Sequence, residues 1–228
     1  MKVSICVPTY EMYGKGLNFL KRLVKSVFEQ TYSDWELVIS DDSKNNEIKD
    51  YINSIQDSRI KYIKNNSEKK VSSVNINNAI KNSSGLLIKP IFQDDFIYNK
   101  DCLYAIVTNI TQTNRIWGSC GFVHTDEHET SISRYMIPAL TPNLLFGVNT
   151  IGCPSNIFFL KSLNQLFDEN LQWLMDCEFY HRLNQLSAPI FITAPLMVTR
   201  VWNDSVSNHV SEEVKINENN YIKGKYNV

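Results

Sequence analysis

Residues 86–96 read Leu86-Leu87-Ile88-Lys89-Pro90-Ile91-Phe92-Gln93-Asp94-Asp95-Phe96, an apolar run followed by two adjacent carboxylates. The apolar part has the length and composition of a buried β-strand. Two ionised carboxylates side by side repel each other, and proteins commonly offset that repulsion with a divalent cation or a ring of hydrogen-bond donors. The stretch therefore predicts a strand that ends at a site for a metal-bound phosphate compound.

Strands and helices alternate from the N-terminus up to this stretch. Apolar runs predict strands at residues 3–7, 35–40, 59–64 and 86–92, and apolar residues spaced by three and four predict helices at 20–28, 48–55 and 71–81. This alternation predicts an α/β fold, Rossmann-like, with a mostly parallel central sheet flanked by helices on both faces. Ligands of such sheets bind beyond the carboxyl ends of the strands, where Pro8-Thr9-Tyr10, Asp41-Asp42 and Gln93-Asp94-Asp95 all lie. We expect one crevice to hold these three clusters.

The pattern changes from about Asp101 onward. A helix is predicted through residues 103–110, a strand at 116–123, an apolar run at 157–160, and an acidic helix start at 175–179 that continues to Leu186. Residues 125–149 are rich in loop formers and carry no motif, and the polar residues 203–228 predict a mobile tail or lid. No linker separates two independent domains, so we expect a single domain with a smaller C-terminal region.

Composition restricts the class of protein. The 228 residues are 43% hydrophobic, enough for one sizeable core, and 23 basic against 24 acidic side chains give a net charge of −1. This balance excludes a general attraction to nucleic acid. Five widely spaced cysteines without a C-x-x-C pair favour a reducing compartment, and no apolar run approaches the roughly 18 residues of a membrane span. We therefore expect a cytoplasmic protein without a transmembrane segment.

Two N-terminal segments carry a family resemblance. Residues 3–10 read Val-Ser-Ile-Cys-Val-Pro-Thr-Tyr, and residues 26–43 read Ser-Val-Phe-Glu-Gln-Thr-Tyr-Ser-Asp-Trp-Glu-Leu-Val-Ile-Ser-Asp-Asp-Ser. In order and spacing they resemble the family 2 glycosyltransferases, an inverting group with the GT-A fold that uses nucleotide-sugar donors, and the resemblance extends to about Ser207. It implies that residues 1–100 form a nucleotide-sugar-binding half, that residues 101–207 form the acceptor-binding and catalytic-base half of the same domain, and that residues 208–228 form a polar C-terminal tail.

The resemblance also implies roles for individual residues. Pro8, Tyr10 and Asp42 would line the nucleobase pocket, with Tyr10 offering a flat apolar face and Asp42 accepting a hydrogen bond from a base N–H, which suits uracil. Asp94 would bind ribose or sugar hydroxyls, and Asp95 would bind Mn²⁺ or Mg²⁺, which prefer oxygen ligands completed by diphosphate and water. Simpler interpretations stay open: Tyr10 as a core aromatic, Asp42 as a helix cap, and the acidic pair as a solvated turn.

Asp176 matches the position of the general base in such enzymes, at an acidic helix start. In inverting transfer a carboxylate takes the proton of the acceptor hydroxyl as that hydroxyl attacks the anomeric carbon. Glu178 is the second choice for this role. The structural alternative is an acid that only favours the helix N-terminus through the helix dipole.

Three positions depart from the family pattern. Gln93 replaces the first acid of the D-x-D motif, Ile76 stands where relatives often carry arginine, and Arg200-Val201-Trp202 replaces an Arg-x-His element. Trp202 could stack on a sugar or close the site, and His209 could substitute as a metal ligand.

The resemblance implies transfer of a hexose-type sugar from a UDP-sugar to a hydroxyl of a glycan or glycolipid. The natural setting is a bacterial-style surface polysaccharide or lipopolysaccharide pathway, with peripheral membrane contact through a lipid-linked acceptor. Two alternatives remain. A sugar-nucleotide nucleotidyltransferase would have a Gly-rich basic loop after the first strand, which Gly14-Lys15-Gly16 resembles poorly. A non-catalytic glycosyltransferase-like module would bind nucleotide without turnover, as Gln93 and Trp202 suggest.

Overall fold

The computed structural model describes residues 1–227, except for the side chains of Val206 and Ser207. In this part of the chain nine strands form one sheet: β1 (Val3–Thr9), β2 (Trp35–Asp41), β3 (Ile60–Lys64), β4 (Leu87–Pro90), β5 (Phe96–Ile97), β6 (Trp117–Thr125), β7 (Ile132–Met136), β8 (Ile157–Leu160) and β9 (Ile190–Arg200). The helices are α1 (Gly16–Phe28), α2 (Glu47–Ser54), α3 (Ser72–Lys81), α4 (Cys102–Gln112), α5 (Met175–Leu186), α6 (Val206–His209) and α7 (Glu212–Tyr226).

The strand order is β3-β2-β1-β4-β8-β6-β9-β5, and β7 pairs with β6 outside this path. The first four strands of this order are parallel to one another, as the alternation of strands and helices predicts. Antiparallel pairs begin where β8 joins β4 and β6, and β6 with β9 is parallel again. The predicted α/β fold is confirmed, with a mixed sheet in which the N-terminal half supplies four adjacent parallel strands.

Helices cover both faces of the sheet, because β1 has buried side chains on both of its faces. Val3, Ile5 and Val7 lie in the core that includes α1, α2 and α4, whereas Cys6 lies in the core that includes α3 and α5. Successive side chains of a strand point to opposite faces. Because every residue of β1 and β2 is buried, neither face of these strands can be left to water.

The structure adds elements that the sequence pattern did not predict. β7 lies in the stretch predicted to be loop-rich, and its exposed side chains carry no burial signal because the strand pairs only with β6 at the sheet edge. β9 has Pro195 in its interior, and the β6–β9 register shifts on both sides of Gly121, opposite Pro195. A proline inside a strand normally argues against that assignment, which explains why β9 escaped prediction.

Residues 212–226 of the predicted mobile tail or lid form the docked helix α7. Within α7, Ile222 is fully buried and Glu218 is only 6% exposed. The helix starts at a cap in which the Ser211 hydroxyl accepts a hydrogen bond from the Val214 backbone N–H. One buried apolar residue gives too weak a pattern for prediction, and Val228 of the predicted tail lies outside the described residues. None of the helices in residues 1–227 combines the length and apolarity that crossing a bilayer requires.

Candidate active site

Gln93 ties together the two loops that follow β1 and β4. Its Oε1 accepts a hydrogen bond from the Tyr10 backbone N–H at 2.9 Å, and its Nε2 donates to the Gly16 carbonyl at 2.6 Å. The side chain is 2% exposed. An amide can donate and accept at once, whereas a carboxylate can only accept. Gln93 therefore supports the Tyr10 backbone, and this explains why an acid is replaced at this position.

Asp94 faces the C-terminal end of β9 and the residues after it. Its Oδ2 accepts a hydrogen bond from the Trp202 indole N–H at 2.9 Å, and its backbone carbonyl accepts one from the Arg200 Nε at 3.0 Å. Burial raises the pKa of the Asp94 carboxyl, and the Trp202 bond opposes that shift. Trp202 packs edge-on against Phe19, with ring centroids 5.3 Å apart. The structure thus places Trp202 beside the acidic pair.

Asp95 is a buried carboxylate, only 3% exposed. Its Oδ1 accepts a hydrogen bond from the Arg200 backbone N–H at 2.9 Å, and its Oδ2 accepts one from the Cys153 thiol at 3.3 Å. Burial, and after it the charge of Asp94, raises the pKa of Asp95 to about 7. A cation placed beside this pair would offset both causes of the shift.

The acidic pair fits a divalent cation that also takes ligands from a bound molecule. Within residues 1–227 no group of three or more His, Cys, Asp or Glu side chains is arranged to hold a metal. Mg²⁺ and similar ions are satisfied by one or two carboxylates when phosphate oxygens and water complete the shell. The His209 side chain pairs with Asp204, with Nε2 3.6 Å from Oδ1, so its acidic partner is not a member of the acidic pair.

The two acids at the end of β2 have different partners. Asp41 is fully buried and accepts hydrogen bonds from the Ser43 backbone N–H at 2.9 Å and the Tyr62 hydroxyl at 2.7 Å. Asp42 instead pairs with Lys70, Oδ1 to Nζ 2.9 Å. Asp42 does not cap α2, because α2 begins five residues later at Glu47 and the preceding Asn46 makes no capping bond. Asp41 is thus held by partners within the fold, whereas Asp42 pairs with the half-exposed Lys70.

The predicted nucleobase residues lie around the ends of β1 and β2. Pro8 is buried in β1 opposite Ser40 of β2, and the Asp42 backbone N–H bonds to the Thr9 carbonyl at 2.9 Å. Tyr10 is partly buried and packs on the cluster that contains Phe19 and Trp202. Sequence reasoning missed Lys70, although the basic pair at residues 69–70 in the loop after β3 was available as a signal.

Asp176 lies in the first turn of α5. Its Oδ2 accepts a hydrogen bond from the Asn149 amide at 2.7 Å, and its Oδ1 accepts one from the Cys177 backbone N–H at 2.7 Å. Burial raises the pKa of Asp176, and these hydrogen bonds oppose the shift. A carboxylate whose pKa lies above its usual range is a better proton acceptor near neutral pH than an exposed one.

One short loop connects Asp176 with Asp95. Asn149, which bonds to Asp176, also donates to the Gly152 carbonyl at 3.0 Å, and the next residue, Cys153, donates to Asp95. The Tyr180 hydroxyl of α5 donates to the same Gly152 carbonyl at 3.0 Å. We call residues 149–153 the bridging loop. Its Gly152 and Cys153, with Pro154 directly after them, had marked a return of order in the sequence, but the contacts of the loop with both acids could not be predicted.

A cavity of about 490 Å³ lies beyond β3 and contains none of the predicted site residues. Lys64, Asn65, Asn78 and Glu169 are among the residues that line it. The Asn65 Nδ2 is buried and has no hydrogen-bond partner within residues 1–227. Asn65 also accepts a hydrogen bond on its carbonyl from Lys70, so the cavity adjoins the Asp42–Lys70 pair.

Comparisons with known proteins identify the family of this chain. Residues 4–167 match the sequence model of Glycosyl transferase family 2. A relative in Escherichia coli is the UDP-Glc:alpha-D-GlcNAc-diphosphoundecaprenol beta-1,3-glucosyltransferase WfgD, 28% identical over 164 residues. That match covers 71% of this chain and 62% of the relative, so the chain spans less than two thirds of the relative's length.

Solved structures show the same fold at low sequence identity. Staphylococcus aureus TarS 1–349 in complex with UDP-GlcNAc superposes with a TM-score of 0.71 at 16% identity, covering 92% of this chain and 62% of that one. The mannosyltransferase PcManGT from Pyrobaculum calidifontis, in complex with GDP-Man and Mn²⁺, gives a TM-score of 0.62 at 16% identity, covering 86% and 56%. With its GT-A architecture and its match over residues 4–167, the chain belongs to glycosyltransferase family 2.

Proposed function

We propose that this protein is an inverting glycosyltransferase that moves a hexose-type sugar from a UDP-sugar to a hydroxyl of a lipid-linked glycan. The observation that carries the proposal is the bridging loop, which bonds to Asp95 at one end and to Asp176 at the other. Donor and acceptor must meet between a group that handles the diphosphate and a group that takes the acceptor proton. A buried Asp95 and a partly buried Asp176, both bonded to one five-residue loop, suit this requirement.

In this proposal the donor occupies the half formed by residues 1–100. Tyr10 and Pro8 flank the base, Asp42 exchanges Lys70 for a base N–H, and Asp94 binds sugar or ribose hydroxyls. Asp95 would hold the Mn²⁺ or Mg²⁺ ion, which when bound supplies positive charge to the leaving diphosphate. The names of the relatives support the donor class, since one uses UDP-Glc and a structural neighbour was solved with UDP-GlcNAc.

Asp176 acts as the general base. The acceptor hydroxyl attacks the anomeric carbon from the side opposite the nucleoside diphosphate, and its proton passes to the Asp176 carboxylate as the new bond forms. An α-linked donor then gives a β-linked product. Asn149 holds the Asp176 Oδ2 at 2.7 Å, which leaves this carboxylate in one orientation for the proton transfer.

The acceptor side, residues 101–207, has exposed apolar side chains in the stretch that leads to Asn149, which bonds to Asp176. We call residues 132–148 the apolar segment, because it contains only one charged residue, Arg134. Six of its large apolar side chains are 42–59% exposed: Ile132, Tyr135, Ile137, Leu140, Phe146 and Val148. The segment leads directly into Asn149. An exposed surface of this kind commonly binds an apolar partner, and the E. coli relative is named for a diphosphoundecaprenol acceptor.

A binding screen followed by a transfer assay tests the proposal. Thermal unfolding with a panel of nucleotide-sugars, with and without Mn²⁺, should show a metal-dependent increase in Tm for UDP-sugars, because a ligand that binds only the folded state stabilises it. Transfer to a polyprenyl-diphosphate-linked sugar should then fall about 10²–10⁴-fold in Asp176→Asn, while UDP binding stays near the wild-type level. Full transfer by Asp176→Asn would assign the base to another residue.

The same experiments separate the two alternatives. Binding of UDP-sugar without turnover on any acceptor would favour a non-catalytic module. Formation of UDP-sugar and diphosphate from UTP and a sugar phosphate would favour a nucleotidyltransferase.

A further inference from the structure

A buried glutamate of α7 binds the backbone immediately before the helix that carries Asp176. Glu218 Oε1 accepts hydrogen bonds from the N–H groups of Gln172 at 2.7 Å and Trp173 at 3.2 Å. Glu218 Oε2 accepts from Trp173 at 3.0 Å and from Leu174 at 2.8 Å. Three consecutive N–H groups therefore converge on one carboxylate, directly before α5.

These contacts are expected to be strong. The first N–H groups of a helix and the turn before it lack intrahelical partners, and a carboxylate there satisfies them and interacts favourably with the helix dipole. Hydrogen bonds to an ionised acceptor are about twice as strong as those between neutral groups. Within residues 1–227 Glu218 forms no ion pair with a lysine or arginine, so these N–H groups are its charge-stabilising partners.

A second set of contacts joins α7 to the first turn of α5. Glu178, which is fully buried, accepts hydrogen bonds from Lys225 and the Tyr226 hydroxyl of α7, both at 2.7 Å. Arg182 of α5 also bonds to Glu178 at 2.8 Å. The beginning of α5 is thus attached to α7 on both sides of Asp176, at residues 172–174 and at residue 178.

We propose that Glu218 is a positioning residue for Asp176, which it holds against the bridging loop through the backbone of residues 172–174. This inference rests on the proposed role of Asp176 as the base. Asp176 lies two residues after Leu174, and its contact with Asn149 requires that α5 start at a fixed place. A misplacement of about 1 Å in such a group can lower a rate about 10²-fold. Glu218 lies outside residues 4–167, which match the family's sequence model.

The test compares Glu218→Gln with Glu212→Gln on the same helix. Glu212 is an exposed residue that pairs only with Lys215 among the described residues, so its substitution controls for loss of an acid on α7. We expect Glu218→Gln to lower kcat for sugar transfer about 10–100-fold, with the donor KM and UDP binding unchanged. Glu212→Gln should retain the wild-type kcat. A wild-type kcat in Glu218→Gln, measured in folded protein, would overturn the inference.

A double-mutant cycle separates positioning from a general loss of stability. If Glu218 acts through Asp176, adding Glu218→Gln to Asp176→Asn should cause no further loss of transfer, because no carboxylate remains to be positioned. A full additional 10–100-fold loss would mean that Glu218 only stabilises the fold. If Glu218→Gln does not fold, Glu218→Asp gives the same comparison with the charge kept and the side chain shortened. Full transfer by Asp176→Asn alone would instead reject the proposed base, which is a distinct outcome.

Discussion

Gln93 has a structural role in the candidate site, in place of the ligand-binding role expected at its position. The family motif would have an acid here, but this chain uses the amide to connect the Tyr10 N–H with the Gly16 carbonyl. Gly16 is itself required, since a Cβ there would meet the Tyr10 carbonyl oxygen. The loops after β1 and β4 are consequently fixed to each other before any ligand arrives, and Asp94 and Asp95 are left as the acids that face the site.

The pKa of Asp95 leads to a prediction about stability and pH. Its pKa is about 7 in the folded protein and close to 3.9 when unfolded, so between these values the folded state binds more protons than the unfolded state. The contribution of Asp95 to the free energy of unfolding should therefore fall as pH rises from about 4 to about 7, by at most about 1.4 kcal/mol per pH unit, and level off above pH 7.

Asp95→Asn should make this decline shallower and should also remove the Mn²⁺-dependent part of UDP binding. Urea unfolding between pH 5 and pH 8 in EDTA measures the first effect, and thermal shift with UDP and Mn²⁺ measures the second. Asp34→Asn, at an exposed acid, is the matched control and should leave both unchanged. An unaltered pH slope together with unaltered Mn²⁺ dependence would show that Asp95 neither titrates near neutrality nor binds the ion.

At the scale of elements, the pairing of β6 with β9 is the feature that assembles the second half of the sheet. The two strands are parallel and remain paired from Gly118 to Thr125 despite the register shifts around Gly121. Arg200 is the last residue of β9. Its backbone N–H bonds to Asp95, and its side chain bonds to the Asp94 carbonyl. This pairing therefore determines where the acidic pair is held.

Gly118→Ala should destabilise the protein because a Cβ at this position would collide with the Ile190 carbonyl oxygen and the Phe158 ring. Overpacking of this kind typically costs about 1–3 kcal/mol. Gly224→Ala is the matched control, since a Cβ there meets nothing within 4 Å and alanine is favoured over glycine inside a helix such as α7. Thermal unfolding should show a lower Tm for Gly118→Ala and an equal or higher Tm for Gly224→Ala. Equal Tm values for Gly118→Ala and wild type would contradict the close packing of β6 and β9.

At the scale of the whole molecule, the two halves present different surfaces. The N-terminal half ends in polar clusters at the carboxyl ends of parallel strands, whereas the C-terminal half adds the apolar segment and the general-base candidate. The proposed acceptor has a charged diphosphate and a long hydrocarbon, so an enzyme that acts on it benefits from an apolar surface close to the base.

The apolar segment should bind lipid vesicles. We expect the protein to co-sediment with vesicles made of bacterial polar lipids, and the double variant Phe146→Asp with Val148→Asp to bind at least about tenfold more weakly, because each buried apolar side chain contributes about 1.5–3 kcal/mol. Tyr104→Asp, at an exposed aromatic on α4, should bind like wild type. Equal binding by all three proteins would exclude the segment as the lipid contact, and self-association lost only in the double variant would assign it to a second copy of the chain.

The sequence by itself determined the parallel half of the sheet and the residues that end its strands. Strand and helix periodicity is a local property, so the alternation over residues 3–92 and the acids at positions 41, 42, 94 and 95 could be identified without coordinates. The acidic start of α5 was recognisable for the same reason. Only the tertiary structure decided which partner each of the acids at the end of β2 has, since Tyr62 and Lys70 come from later parts of the chain.

Tertiary structure alone also decided how the two halves of the site are joined. Cys153 reaches Asp95 across 58 positions of sequence, and Glu218 reaches Leu174 across 44. Neither contact leaves a periodic signal, because each depends on the packing of whole elements around a single buried carboxylate. For that reason a segment that looked like a polar tail is the helix that holds the start of α5 in place.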